Sequence, residues 1–330
     1  MDSPTVGGPD ALSDVLGSQD DWSSRVIDIP KGDVCHTLSA AHIPTATVAP
    51  GSRLRIETEL NLGDVLHSVE DRFDKSMLRL PYVNGATGPV AVEGATSAHV
   101  LTCRILDMEL VPPGVTALVP GVGAFPDWIR RKEFGVHSRV VDVRDGHVLW
   151  DRGLRIPVQP MVGVLGTAPL IEAVSTTDNG PHGGNLDIQE FAPGSTVYLP
   201  IQVNGALLFL GDCHAVQGDG ELCGCGAIEI RTFTTVEVDL SPRPPGMVWP
   251  RFETATHIGA VACARPLEDA FRLSVEELIR WMTEDYGFTD ADALLLLGQV
   301  AEARCTQVVN PKYTYVAKIA KRFLPSKARG

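Results

Sequence analysis

Short runs in which apolar and polar residues alternate recur along most of the chain, and a period of two is the mark of strands with one buried face. Residues 45–60 read TATVAPGSRLRIETEL, with alternating runs on either side of Pro50-Gly51, which predicts a hairpin. Residues 89–93 (PVAVE) and 99–110 (HVLTCRILDMEL) repeat the alternation. In the second run Val100, Thr102, Arg104 and Leu106 share one face, while Leu101, Cys103, Ile105 and Asp107 share the other. Residues 137–157 predict a meander that turns at Asp145-Gly146, a step that favours the tight turn of a two-stranded ribbon. Residues 196–210 carry two apolar runs around Asn204-Gly205, the same hairpin cue, and residues 226–240 alternate from Ile228 to Leu240.

Only the last quarter changes period. From Leu267 to Tyr286 the apolar residues Ala270, Phe271, Leu273, Val275, Leu278, Ile279 and Met282 form a helical stripe. Gly287 is placed to stop that helix, and Thr289 to cap a second one running through Leu297. Strands and helices do not alternate, which excludes a doubly wound sheet. The expected fold is mainly β: a β-sandwich or barrel-like body with a smaller α+β C-terminal portion. Three regions are expected: an acidic leader over residues 1–28, partly disordered; a β-rich N-terminal domain over 29–175; and a β-rich C-terminal domain with a helical tail over 176–330.

Composition sharpens this picture. The 330 residues include 32 Gly and 24 Pro, which punctuate the backbone often and favour short strands. Lys and Arg number 28 against 41 Asp and Glu, a net charge of −13, so neither nucleic acid nor an anionic membrane surface is an expected partner. There is no apolar run of the roughly 18 residues that a membrane helix needs. The first 25 residues lack the basic and apolar regions of a secretory signal, and seven cysteines without a spacing framework read as reduced thiols. Together these point to the cytoplasm. Cys223 and Cys225 are too close for an ordinary zinc pair and are read as small buried apolar residues. Apolar strands with long edges call for a homo-oligomer, a dimer or higher, since exposed edges invite pairing.

Chemistry concentrates between Pro181 and Glu229. The stretch opens PHGGNLD, and a Gly183-Gly184 pair between His182 and Asn185 suits a sharp bend or the close approach of a ligand. Further on, in GDCHAVQGDGE, Asp212 and His214 stand two apart, so a strand would show both on one face. A carboxylate and an imidazole there suit Zn²⁺ or a similar divalent ion. Gly218-Asp219-Gly220 would let the chain double back and aim Glu221 at the same point. A plainer reading stands beside this one, in which Asp-x-His ends a strand as a polar turn and Gly-Asp-Gly is a simple loop.

These residues carry a resemblance. GGNLD followed by GSTVYLPIQVNGALLFLGDCHAVQGDGELCGCGAIE resembles the acetamidase/formamidase family of amidohydrolases. NGATGPVAVEGA (84–95) is similar to that family's N-P-x-T-G-P-x-x-V-E-G-A segment, with Gly85 for Pro, and IPVQPMVGVLGTAP (156–169) to its P-M-x-G-x-x-G-x-A-P segment. DADALLLLGQVAEARCTQVVNP resembles its final helix and return strand, so the likeness spans roughly residues 30–320. It implies a mainly β architecture, subunit assembly, a divalent metal (zinc is the expected ion), and hydrolysis of a short linear amide to a carboxylate and ammonia. It carries functional roles to Asn185, Asp187, Asp212, His214 and Glu221, with Gly183 and Gly184 shaping the pocket and His182 also matching.

On this reading Asp212 and His214 hold the ion, with Asp187 or Glu59 as a further ligand. Glu221 is the general base, and the Gly183 and Gly184 amides with Asn185 stabilise the oxyanion. The chain departs from the family pattern in its N-terminal half. TELNLGD places Leu60 where an Asp is expected, leaving Glu59 or Asp64 as substitutes, and Cys35 stands where a His is expected, with His36 one residue on. A competing chemistry uses Cys213 as nucleophile, although its position between Asp212 and His214 turns it to the opposite face. A diverged amidase of specialised biosynthesis acting on a different or larger amide, and a non-catalytic β-rich oligomeric binding protein, are the alternative functions.

Overall fold

The computed structural model describes residues 26–327. The leader expected over 1–28 therefore lies outside the described residues as far as Arg25, and Val26–Ile29 is already a strand. Ten strands precede residue 170: β1 (Val26–Ile29), β2 (Thr37–Leu38), β3 (Ala46–Val48), β4 (Ser52–Glu57), β5 (Ala86–Val92), β6 (His99–Leu118), β7 (His137–Arg144), β8 (His147–Leu149), β9 (Arg155–Pro157) and β10 (Met161–Gly166). Ten follow: β11 (Val174–Ser175), β12 (Asn179–Gly180), β13 (Gly183–Asn185), β14 (Thr196–Pro200), β15 (Leu208–His214), β16 (Gly224–Pro242), β17 (Arg251–Glu253), β18 (His257–Ala264), β19 (Glu302–Gln307) and β20 (Tyr313–Ala320). Three helices join them, α1 (Pro126–Arg131), α2 (Leu267–Tyr286) and α3 (Asp290–Val300).

The fold is mainly β, as the alternation predicts. Eighteen strands are hydrogen-bonded into one continuous curled sheet, and β2 with β11 forms a separate pair. Its spine is the long antiparallel pairing of β6 with β16, which runs from His99 opposite Pro242 to Leu118 opposite Gly224. Strands from the two halves of the chain interleave: β4 pairs with β16, β5 with β15, and β6 with both β14 and β16. The main core lies between the curled layers and contains Leu54, Ile56, Leu101, Ile105, Leu199, Phe191 and Phe252.

Two of the three expected hairpin turns join strands that part company. The Pro50-Gly51 turn closes, with Ser52 N donating to Ala49 O at 3.2 Å, but β3 runs parallel to β5 while β4 lies between β1 and β16. The chain also turns at Asn204-Gly205, yet β14 joins β6 and β17 while β15 joins β5, β10 and β16. Here burial of both faces decides the pairing, not the local turn. The Asp145-Gly146 step does make a hairpin, with φ of +50° and +70° at the two turn residues and Arg144 opposite His147.

The C-terminal portion is α+β. α2 covers Leu267–Tyr286 and ends at Gly287, whose φ of +70° supplies the left-handed turn. Thr289 caps α3 by accepting from Asp292 N, and α3 continues to Val300, three residues beyond the expected end. α2 packs over β18 and β20, and α3 packs against α2 and β20, through Leu278, Trp281, Met282, Leu297 and Ile319. Among the described residues no helix is long and apolar enough to cross a membrane. All seven cysteines are free thiols in the structure.

Candidate active site

β15 delivers the two most informative side chains. It is sandwiched between β10 and β5, with Gly211 opposite both Val164 and Ala86, and His214 opposite Glu229 of β16. Asp212 and His214 emerge on one face. Cys213 turns away into the main core, with its Sγ 3.9 Å from Thr234 Oγ1, and burial pushes its thiol up, which leaves no thiolate near the cluster. Asp187 follows β13 and reaches the same point, so one ligand atom each from Asp187, Asp212 and His214 lies within 4.8 Å of the other two.

The backbone bends to achieve this. Asp187, Asp212 and Glu221 have φ of +51°, +50° and +47°, a left-handed conformation that ordinary residues enter at a cost of roughly 1 kcal/mol or more. Three site carboxylates held this way show that tertiary contacts, not local preference, aim them. Gly163 of β10 makes room behind the cluster, since a Cβ there would lie 2.5 Å from Asp212 O and 2.7 Å from Asp187 Oδ1. Gly226 does the same for the Glu221 turn, where a Cβ would meet Glu221 O at 2.5 Å. That turn is tied to β19 by Gly220 N, which donates to Thr306 O at 2.9 Å.

Glu229 completes the group and was not singled out in the sequence. It sits on β16 between two irregularities of the β6 ladder, and its Oε2 is 3.0 Å from His214 Nε2. Such bulges re-aim a side chain. Its only signal was a carboxylate inside the apolar run GAIEI. Four carboxylates therefore converge on one imidazole, each at most 5% exposed. Desolvation, then Asp212, raises Asp187 to about 6; desolvation raises Glu229 to about 7 against the opposing pull of His214. Burial and Asp187 also hold Glu221 well above the ordinary carboxylate range. Burial alone would push His214 down, but Glu229 and Asp212 outweigh it and hold the imidazole well above its usual value.

Amide side chains surround the acids. Asn84 Nδ2 donates to Asp212 Oδ2 at 2.9 Å, and Asn310 Nδ2 to Asp187 Oδ2 at 2.8 Å. With its nitrogen toward the carboxylates, Asn185 donates to Asp187 Oδ1 at 3.0 Å and Asp212 Oδ2 at 2.9 Å, the orientation its neighbours favour. Gln217 accepts at Oε1 from His214 Nδ1 at 2.9 Å. Even so, His214 Nε2, Asp212 Oδ1, Glu221 Oε2 and Glu229 Oε2 are buried without a hydrogen-bond partner. One bare nitrogen and three bare oxygens around one point fit a hard or borderline divalent cation. Asp187, Asp212 and His214 are thus a group that could hold a metal ion.

A cavity of about 170 Å³ opens onto the cluster. Asn61, Asn84, Asn185, Glu221, Glu229 and Asn310 give it a polar floor, and Leu62, Leu78, Leu80, Val83, Val119, Val122 and Val309 give it apolar walls. Glu221 and Asn185 both line this cavity. Gly184 does not line it: a Cβ there would meet Asp178 O at 2.6 Å and the His182 ring at 3.4 Å, so this glycine is spent on backbone packing. His182 is buried behind it, pushed down to about 4 chiefly by burial. Nor do the two substitutes for the missing carboxylate join the cluster. Glu59 and Asp64 both approach Lys31, at 3.9 and 3.3 Å, and Asp64 also meets Arg231 at 3.3 Å. Cys35 reaches Gly88 O at 3.5 Å and His36 reaches Val83 O at 3.2 Å, which occupies both elsewhere.

Comparison with known proteins points to one family. Residues 170–322 match the model of the Acetamidase/Formamidase family. The chain is 29% identical to an acetamidase of Mycolicibacterium smegmatis, over 77% of this chain and 82% of that protein. The crystal structure of an acetamidase from Yersinia enterocolitica superposes with a TM-score of 0.86 at 32% identity, covering 92% of this chain and 94% of that one. An acetamidase structure from Bacillus halodurans gives 0.83 at 32% identity, covering 90% and 98%.

Proposed function

The chain belongs to the acetamidase/formamidase family of amidohydrolases, and from that premise we propose that it hydrolyses a small linear amide to a carboxylate and ammonia with the help of a divalent cation. The observation that carries this reading is the convergence of ligand atoms from Asp187, Asp212 and His214, with Asp212 Oδ1 and His214 Nε2 buried and unpartnered, beside a small cavity floored by Glu221 and Glu229. One imidazole and two carboxylates suit zinc. When bound, such an ion lowers the pKa of a water and polarises an amide carbonyl.

The protein's own groups do the rest. Asp187, Asp212 and His214 hold the cation, while Asn84, Asn185 and Asn310 fix the carboxylates by donating to them. Glu221 presents a bare Oε2 to the cavity and takes the proton of the attacking water; it then returns that proton to the departing nitrogen. Asn61 Oδ1, buried and unpartnered on the same cavity wall, is an acceptor for the N–H groups of a primary amide. A cavity of about 170 Å³ lies below the roughly 300–1,000 Å³ of ordinary ligand pockets, which favours a short acyl group.

The direct test is Glu221→Gln assayed for ammonia release from formamide and acetamide. Turnover should fall by roughly 10²–10⁴-fold. Bound metal per chain, read by elemental analysis, should stay as in the parent protein. Undiminished turnover would remove Glu221 as the base, and a wild-type chain without metal would remove the cation.

A further inference from the structure

A metal-binding imidazole must present a lone pair, and which nitrogen does so is set by what its other nitrogen bonds. His214 has Nδ1 on one side and Nε2 on the other. Nε2 points at the acidic cluster, 3.0 Å from Glu229 Oε2 and 3.7 Å from Asp212 Oδ1, yet makes no hydrogen bond of good geometry with either. Nδ1 faces Gln217 Oε1 at 2.9 Å.

The orientation of the Gln217 amide is not free. Its Nε2 donates to two main-chain carbonyls, Asp187 O at 2.9 Å and Thr306 O at 3.1 Å. Rotating the amide by half a turn would put Oε1 against both oxygens, so the oxygen must face His214. An oxygen there accepts, and Nδ1 must therefore carry the hydrogen. Gln217 is itself buried, so no solvent exchanges with these bonds cheaply. The same amide also grips the backbone of Asp187, whose side chain is a second proposed ligand.

We propose that Gln217 is a positioning residue which fixes the Nδ1–H form of His214, leaves the Nε2 lone pair facing Asp187 and Asp212, and ties both ligand segments to β19 before the cation arrives. This rests on the cation reading above. Gln217 does not border the cavity, so it acts through the ligands and not on substrate.

The test uses Gln217→Met, which keeps length but removes both the acceptor for His214 and the donors to Asp187 and Thr306. Zinc affinity is measured on the folded metal-free proteins by competition with a chromophoric chelator. Gln217→Met should weaken binding by about 10–100-fold. Parent-like affinity in Gln217→Met overturns the proposal. If the parent protein binds no divalent ion in the same titration, the cation reading fails and takes the proposal with it. Should Gln217→Met not fold, the parent protein decides alone. Its zinc-loaded, ¹⁵N-histidine-labelled form should give a slowly exchanging Nδ1–H signal that is missing from His214→Asn. Metal on Nδ1 instead would overturn the assignment.

Discussion

Burying four carboxylates beside one histidine sets a charge problem that single residues must solve. In the metal-free protein Asp187 stands at about 6 against an ordinary 3.8, and Glu229 at about 7 against 4.5. A carboxyl whose pKa is raised by folding binds its proton more tightly in the native state than in the unfolded chain. Its contribution to stability is therefore lost as pH climbs from about 4 towards 7. His214 pushes the same way: its charged form is favoured by Glu229, and that gain is lost as pH rises through its own raised pKa. The chelated protein should thus lose ground as the pH goes from about 5 to about 8, while a bound cation replaces the missing protons. Melting curves with and without zinc should show a Tm gap that widens across this range. A constant or shrinking gap would mean that these side chains do not share a cation.

At the level of elements, glycines decide where a strand can pass the site. Gly163→Ala forces a methyl group against Asp212 O and Asp187 Oδ1, and should cost about 1–3 kcal/mol together with much of the metal affinity. Gly298→Ala is the counterpart. It lies exposed in α3 with open space around it, and the same change should raise stability by about 0.5–1 kcal/mol by restricting the unfolded chain. Urea denaturation of both variants checks the pair; a stabilised Gly163→Ala would show that β10 does not confine the cluster. The elements also mark how far a sequence can be read. Alternation located β6 and β16, helical spacing located α2, and Asp-x-His on a strand located Asp212 and His214, because each of these signals is local. Glu229, Gln217 and Asn310 went unread because only the pairing of β15 with β16, the turn after His214 and the loop after β19 bring them in. Gly184 was misread for the opposite reason: a glycine pair signals a close approach, and here the thing approached is the protein's own backbone at Asp178.

The whole molecule is held by pairings that cross the middle of the chain. β4, β5 and β6 find their partners in β14, β15 and β16, and the site itself draws Asn84 from the first half and Asp187, Asp212, His214, Glu221, Glu229 and Asn310 from the second. If residues 29–175 and 176–330 folded as separate domains, each would have to survive with those edges unpaired. Opening β6 from β16 would strip the longest ladder in the sheet and expose Leu101, Cys103 and Ile105 along one strand with Val236 and Val238 along the other. Long apolar edges of that kind aggregate sooner than they persist. Calorimetry of the metal-free chain should therefore give one cooperative transition whose calorimetric and van't Hoff enthalpies agree. Expressed alone, residues 29–175 should be insoluble or unfolded by far-ultraviolet circular dichroism. Two resolved transitions, or a soluble and folded N-terminal fragment, would mean that the interleaved pairings follow folding and do not drive it.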